Sequence, residues 1–229
     1  MGTITCTEII NKAATQLLDT ANTRWPRTEL LGWISDGQRQ IVQMQPNASA
    51  TTVAFPLVAG TRQTLPANGY LLLDIYRNLG TTGTTPGRAI RIVSRTLLDA
   101  QDPDWHIANT NPTTKNYVYD VNDKTAFYVY PPAPGGTYIE LCYAQAITDF
   151  TQESQTIVIE DTLQTCLLDY VLWRACSKDA EYAPGLQLAN MYMSSFMQAM
   201  GKVQSVETID NVNKSLGGNN AQPMPGANS

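Results

Sequence analysis

Apolar residues recur at helical spacing near both ends of this chain and in alternation between them, and this change of period confines the fold to helices flanking a β-rich middle. Near the start, Thr5 followed by Glu8 reads as a capping box for a helix that places Ile9, Ile10, Ala13 and Leu17 on one face and ends near Asn22. After Trp25-Pro26, Thr28 is placed to cap a second helix with a stripe of Leu31, Ile34, Ile41 and Val42, stopped by Pro46-Asn47. Gly37 thins the middle of that helix, where another element can come close. Towards the other end, a helix is expected from about Asp161 to Tyr182, with Leu163, Leu167, Tyr170 and Val171 inward and Leu168, Leu172 and Ala175 beside them. Pro184-Gly185 then turns the chain. A last helix carries Ala189, Tyr192, Phe196 and Ala199 on one face, with Met191, Met193, Met197 and Met200 alongside, and breaks up beyond Val203.

Between these ends, period two predicts strands over residues 51–55, 71–77, 89–95, 117–121, 127–130 and 138–143, and a last one near Ile157 to Ile159. One short helix, over 96–101, is closed by Asp102-Pro103. The expected class is α+β: helix pairs over 1–46 and 160–204 forming one helical bundle, an inserted antiparallel β domain over 47–159, and an extended C-terminal tail over 205–229. Rich in Asn, Gly, Pro and Gln, the tail cannot bury a core of its own, so a neighbouring subunit or another protein is expected to hold it.

With 229 residues and 43% hydrophobic content, the chain has enough material for a sizeable core. Charged residues are sparse, 15% against a typical figure of about 25%. The net charge of −5, with no basic run, argues against general affinity for nucleic-acid phosphates. No apolar run approaches the roughly 20 residues of a membrane-crossing helix, so no membrane association is expected. Lys12, Glu8 and Asp19 interrupt any secretory leader, so assembly in cytoplasm is expected. Cys6, Cys142, Cys166 and Cys176 are too dispersed for paired zinc-ligand spacing or a disulfide framework and read as buried thiols.

Residues able to carry chemistry are few. The single histidine, His106, lies in Asp102-Pro103-Asp104-Trp105-His106, where carboxylates and imidazole resemble a loop-borne metal cluster, but aspartates beside proline more often build turns, and Trp105 reads as an anchor against the sheet. No metal, cofactor or catalytic residue is therefore expected, although Asp99, Asp102 and Asp104 keep a hydrolase with paired carboxylates open as an alternative. The run from Gly80 to Arg88, containing Gly83, Thr84 and Gly87, lacks a phosphate-loop ending and reads as a wide hairpin tip with glycines at positive φ and solvated threonines. Pro131-Pro132-Ala133-Pro134-Gly135-Gly136 reads as a stiff turn. The methionine and aromatic stripe of the last helix reads first as core and second as a partner groove. Arg174, Lys178, Asp179 and Glu181 form either a solvated helix face or, in a ring, a contact with the adjacent subunit.

Several segments, taken in order, resemble the head-to-tail adaptor, or connector, proteins of short-tailed bacteriophages. They include the run from Leu30 to Ile41 (Leu-Leu-Gly-Trp-Ile-Ser-Asp-Gly-Gln-Arg-Gln-Ile), Gly60 to Pro66, Gly87-Arg88-Ala89-Ile90, and Leu98-Asp99 with Pro103-Asp104-Trp105-His106. Phe127 to Pro132, Asp169 to Ala175 and Ser177 to Tyr182 continue the resemblance. It implies a non-enzymatic virion protein, about twelve copies of which form a ring below the portal protein, extend the channel for double-stranded DNA and meet the tail nozzle or tail-tube protein. By the same resemblance the C-terminal segment docks on the portal, which points to Asn211, Asn213, Leu216, Gly217, Asn220 and Met224. Arg39, Arg174, Lys178, Asp179 and Glu181 become subunit-contact residues, and Gly80, Gly83, Thr84, Gly87 and Arg88 a loop for tail components. A tail-tube terminator or nozzle-proximal ring is the alternative within the same particle.

Overall fold

Helix α1 (Cys6–Gln16) starts where the capping box places it: the Thr5 hydroxyl accepts the Glu8 N–H at 3.3 Å and donates to the Glu8 carboxylate at 3.1 Å. The structure, a computed structural model, describes residues 2–120, 122–178 and 183–210. α1 ends at Gln16, short of Asn22, because the Asp19 carboxylate takes the backbone N–H groups of Thr23, Arg24 and Trp25 at 2.9–3.0 Å and folds the chain into a loop. Leu18 and Asn22 accordingly adopt positive φ. Helix α2 (Arg27–Met44) begins after Pro26, so Thr28 lies inside its first turn and caps nothing. A 3-10 turn over Pro46–Ser49 then leads into the β region.

Seven strands among the described residues make two sheets. In the first, β1 (Ala50–Pro56) and β3 (Gly69–Asn78) flank β7 (Tyr138–Gln145), all antiparallel, with Val53 opposite Leu141 and Thr51 opposite Tyr143. In the second the order is β2 (Gly60–Thr64), β6 (Ala126–Ala133), β5 (Asn116–Tyr119), β4 (Arg91–Ile92), and the β4–β5 pair is parallel. Leu72, Ile75, Ile139 and Leu141 of the first sheet share a buried core with Tyr117, Phe127 and Val129 of the second. Between the sheets the Tyr117 hydroxyl donates to Asp74 at 3.1 Å, and burial together with that carboxylate raises the phenol pKa.

Several boundaries differ from the sequence reading. β2 falls in a stretch without marked alternation and is held by pairing with β6. The strand expected over 89–95 shrinks to two residues, because the Ile90 N–H bonds to the Tyr76 carbonyl of the other sheet and helix α3 (Arg95–Gln101) already begins. β6 runs through Pro131 and Pro132 to Ala133, which leaves the turn to 134–137, with Gly135 and Gly136 at positive φ. Ile157 to Ile159 form no strand: the Gln38 side-chain oxygen on α2 accepts the Val158 and Ile159 N–H groups at 2.7 and 3.4 Å.

The chain then makes a 3-10 turn (Asp161–Leu163) and enters α4 (Gln164–Lys178) and α5 (Ala183–Asp210). Pro184-Gly185 sits in the first turn of α5, a position proline tolerates because its missing N–H would have no helical partner there. α5 does not break beyond Val203 but continues to Asp210. Ile9, Ile34, Leu167, Val171 and Phe196 belong to one core shared by α1, α2, α4 and α5. α4 approaches α2 closely at Gly37, where an added Cβ would stand 2.7 Å from Leu167 and 2.8 Å from Tyr170. The architecture is mixed α+β, with one core among the helices and another between the sheets.

Candidate interaction surfaces

The carboxylates and imidazole that hinted at chemistry serve local structure. Trp105 is buried, donates from its indole N–H to Asp99 at 2.8 Å, and stacks on His106 with ring centroids 3.7 Å apart. Edge contacts to Tyr128 and Tyr130 press it on β6, the anchoring role expected of it. His106 Nδ1 shares a hydrogen with the Thr61 hydroxyl at 2.9 Å, Asp99 also faces Arg95 at 3.4 Å, and Asp102 accepts from the Tyr130 hydroxyl at 3.4 Å. Among the described residues no three His, Cys, Asp or Glu side chains come together as a metal site. All four cysteines are buried and none forms a disulfide, and burial pushes the Cys6 thiol up to about 11, which keeps it protonated and unreactive.

The Gly80–Arg88 segment is a rigidly rooted loop. Asn78, itself buried, donates from its amide to the carbonyls of Arg88 and Thr114 at 2.9 and 2.8 Å and accepts the Thr114 N–H at 2.9 Å, which ties the loop base to the second sheet. Backbone bonds from Asn78 to Arg88 and from Gly87 to Asn78 close it as a hairpin-like tip. Gly80 and Gly83 take positive φ, and Thr84, Gly87 and Arg88 are exposed. Gly83 lies against Tyr138, where a Cβ would come within 3.2 Å of the ring.

The charged residues singled out on the helices already have partners within the subunit. Lys178 reaches Glu29 of α2 at 2.7 Å, Arg39 pairs with Asp36 at 2.9 Å and also with Asp149, and Arg174 lies over the Trp173 ring at 5.7 Å. Asp179 and Glu181 lie outside the described residues, as do Asn211, Asn213, Leu216, Gly217, Asn220 and Met224. The sequence reading did not single out a concave site where α2 meets the start of β3 and the segment after β7, lined by Arg39, Val42, Gln43, Tyr70, Ala146 and Ile147. Its residues come from three distant stretches, so no local pattern marks it. Of the methionines noted in the sequence, Met191 and Met197 are exposed on different sides of α5, Met193 is partly buried against the helical core and Met200 is buried.

This chain, with one core among its helices and another between its sheets, matches the SU10 adaptor protein family over residues 4–218. The chain belongs to that family. This SU10 adaptor is therefore a phage structural protein of the virion that joins other head or tail proteins. The match runs past α5 to residue 218 and so takes in Asn211, Asn213, Leu216 and Gly217, whereas Asn220 and Met224 fall beyond it. No curated protein matches the adaptor chain. Among its described residues no helix is long and apolar enough to cross a membrane.

Proposed function

We propose that this adaptor is a head-to-tail connector: about twelve copies form a ring between the portal protein and the tail nozzle and extend the channel through which double-stranded DNA leaves the capsid. In this reading the helices act as a bundle that builds the ring, and the β domain presents Gly80, Gly83, Thr84, Gly87 and Arg88 to tail components. The observation that carries it is the overhang of α5. At 28 residues, about 42 Å, α5 far exceeds the 15 residues of α4. The two helices register through Ser195 with Asp169 and Phe196 with Tyr170, so the last turns of α5 pass beyond α4. The segment that follows, residues 211–229, holds Lys214 as its one charged side chain and is rich in Gly and Asn, a composition that can follow a partner's surface by hydrogen bonding along its backbone. A ring of such segments binds far more tightly than one. The net charge of −5 suits a channel that DNA passes without sticking.

Deleting Asn211 to Ser229 tests this reading. The truncated subunit should keep its circular-dichroism melt and lose co-sedimentation with purified portal rings. Full portal binding by the truncated protein would refute the docking role, and binding of the full chain to tail tube in place of portal would favour a tail-tube terminator or nozzle-proximal ring.

A further inference from the structure

The turn between β2 and β3 contains the one Asn-Gly step in the chain, Asn68-Gly69. Such a step is chemically labile, because glycine puts no side chain between its own backbone nitrogen and the asparagine carboxamide. Both residues are nonetheless fixed by packing. Tyr143 on β7 is 3% exposed, and its hydroxyl donates to Asn68 Oδ1 at 3.1 Å, which gives a buried phenol the partner it needs. At position 69 an added Cβ would stand 2.8 Å from Leu65 Cβ and 2.9 Å from the Pro66 carbonyl oxygen, so only glycine fits.

The same contacts hold the reacting groups back. Cyclisation requires the Gly69 nitrogen to lose its proton and reach Asn68 Cγ. In the folded chain that N–H donates to the Pro66 carbonyl at 2.7 Å, the carboxamide is held by Tyr143, and the Asn68 carbonyl accepts the Ala146 N–H at 2.8 Å. Gly69 also lies opposite Gln145 in the β3–β7 ladder, which limits how far the backbone can turn. Asn68 itself is exposed, and water reaches it.

We propose that Asn68-Gly69 is a deamidation site of this adaptor, kept slow by the Tyr143 hydroxyl and the Pro66 carbonyl. When both let go, the Gly69 nitrogen forms a bond to Asn68 Cγ, the Cγ–Nδ2 bond breaks, and the Gly69 proton leaves with Nδ2 as ammonia. Water then opens the succinimide at either carbonyl, which gives aspartate or isoaspartate at position 68. Isoaspartate lengthens the main chain by a carbon at the end of the β3–β7 ladder, beside Tyr70 of the recess. Tyr143 acts here as a positioning residue, whatever the adaptor's place in the particle.

Incubation of the full chain at mildly alkaline pH tests this, with the tryptic peptide 63–77, which contains no other asparagine, followed by mass spectrometry for deamidation and for isoaspartate. The wild-type rate should fall well below that of the free synthetic peptide 63–77, and equal rates overturn the proposal. Tyr143→Phe keeps the buried ring and should speed deamidation about two- to tenfold, the effect of one lost hydrogen bond, with amide exchange at Gly69 unchanged. An unchanged or lower rate, or a rise matched by faster exchange at Gly69, overturns the role of Tyr143. Should Tyr143→Phe lose the wild-type melt, the comparison of folded chain with free peptide still decides. Asn68→Ser should abolish the mass shift in this peptide, and a shift that persists overturns the site.

Discussion

The helical and β halves of this adaptor hold themselves together differently. The β half is closed within a continuous stretch of chain: its sheets share one core, and its buried hubs, Asn78 and Gln63, bond to neighbouring β loops. The helical half is closed by contacts between distant ends of the chain. Thr3 bonds to Asp161 at 2.8 and 2.7 Å, Arg27 pairs with Glu153 at 2.5 Å, the Trp25 indole donates to the Ala175 carbonyl at 3.2 Å, and Gln38 holds Val158 and Ile159. Closure within one stretch of chain in the β half, against closure between distant stretches in the helical half, leads us to propose that the two can be destabilised separately.

The widest separation should come from matched core truncations. Phe196→Ala and Phe127→Ala each remove a fully buried ring and should cost about 3–5 kcal/mol in their own half. Amide exchange should rise in α2, α4 and α5 for the first and in β5 and β6 for the second, and equal loss everywhere in both would show that the halves unfold as one. A smaller effect, about 1–3 kcal/mol, is expected from Gln38→Leu, which preserves bulk and leaves the Val158 and Ile159 N–H groups without their acceptor. Its signature is faster exchange over 153–163 with the β half unchanged.

The smallest effect is set by pH. Glu153, Asp161 and Asp19 all lie in the helical half, and all have carboxyl pKa values below the ordinary range: Arg27 hydrogen-bonds Glu153, the Thr3 hydroxyl bonds Asp161, and the Trp25 N–H bonds Asp19. A lowered folded-state pKa means that the unfolded chain takes up protons first. The stabilisation is present above the ordinary carboxylate values, near about pH 4, and is lost as pH falls through the folded-state ones. Acid titration followed by amide exchange should therefore loosen the helical half before the β half, and Arg27→Ala should move that loosening to higher pH.

The features legible in the sequence were those fixed by neighbours along the chain. The Thr5 and Glu8 capping box, the inward stripe of α4, the helix closed by Asp102-Pro103 and the close approach at Gly37 all depend on spacing or on a missing side chain. The features that escaped depend on partners far away or on side chains redirected to backbone. Asp19 ends α1 early by capturing three amides, Gln38 substitutes for a strand at Val158, and β2 exists through β6. The recess beside α2 draws on residues 39–43, 70 and 146–147, which only folding brings together.

The isolated bridge between Thr5 and Thr156, with the Cys6 N–H bonded to the Gln155 carbonyl at 2.9 Å, has a consequence for biosynthesis. On a translating ribosome α1 and α2 emerge long before α4 exists, and at roughly 5–20 residues per second their apolar stripes wait several seconds or more for cover. The last inserted strand, β7, ends at Gln145, so both sheets emerge before α4 does. Nascent adaptor should therefore recruit chaperones through its first two helices and release them only once α4 clears the exit tunnel.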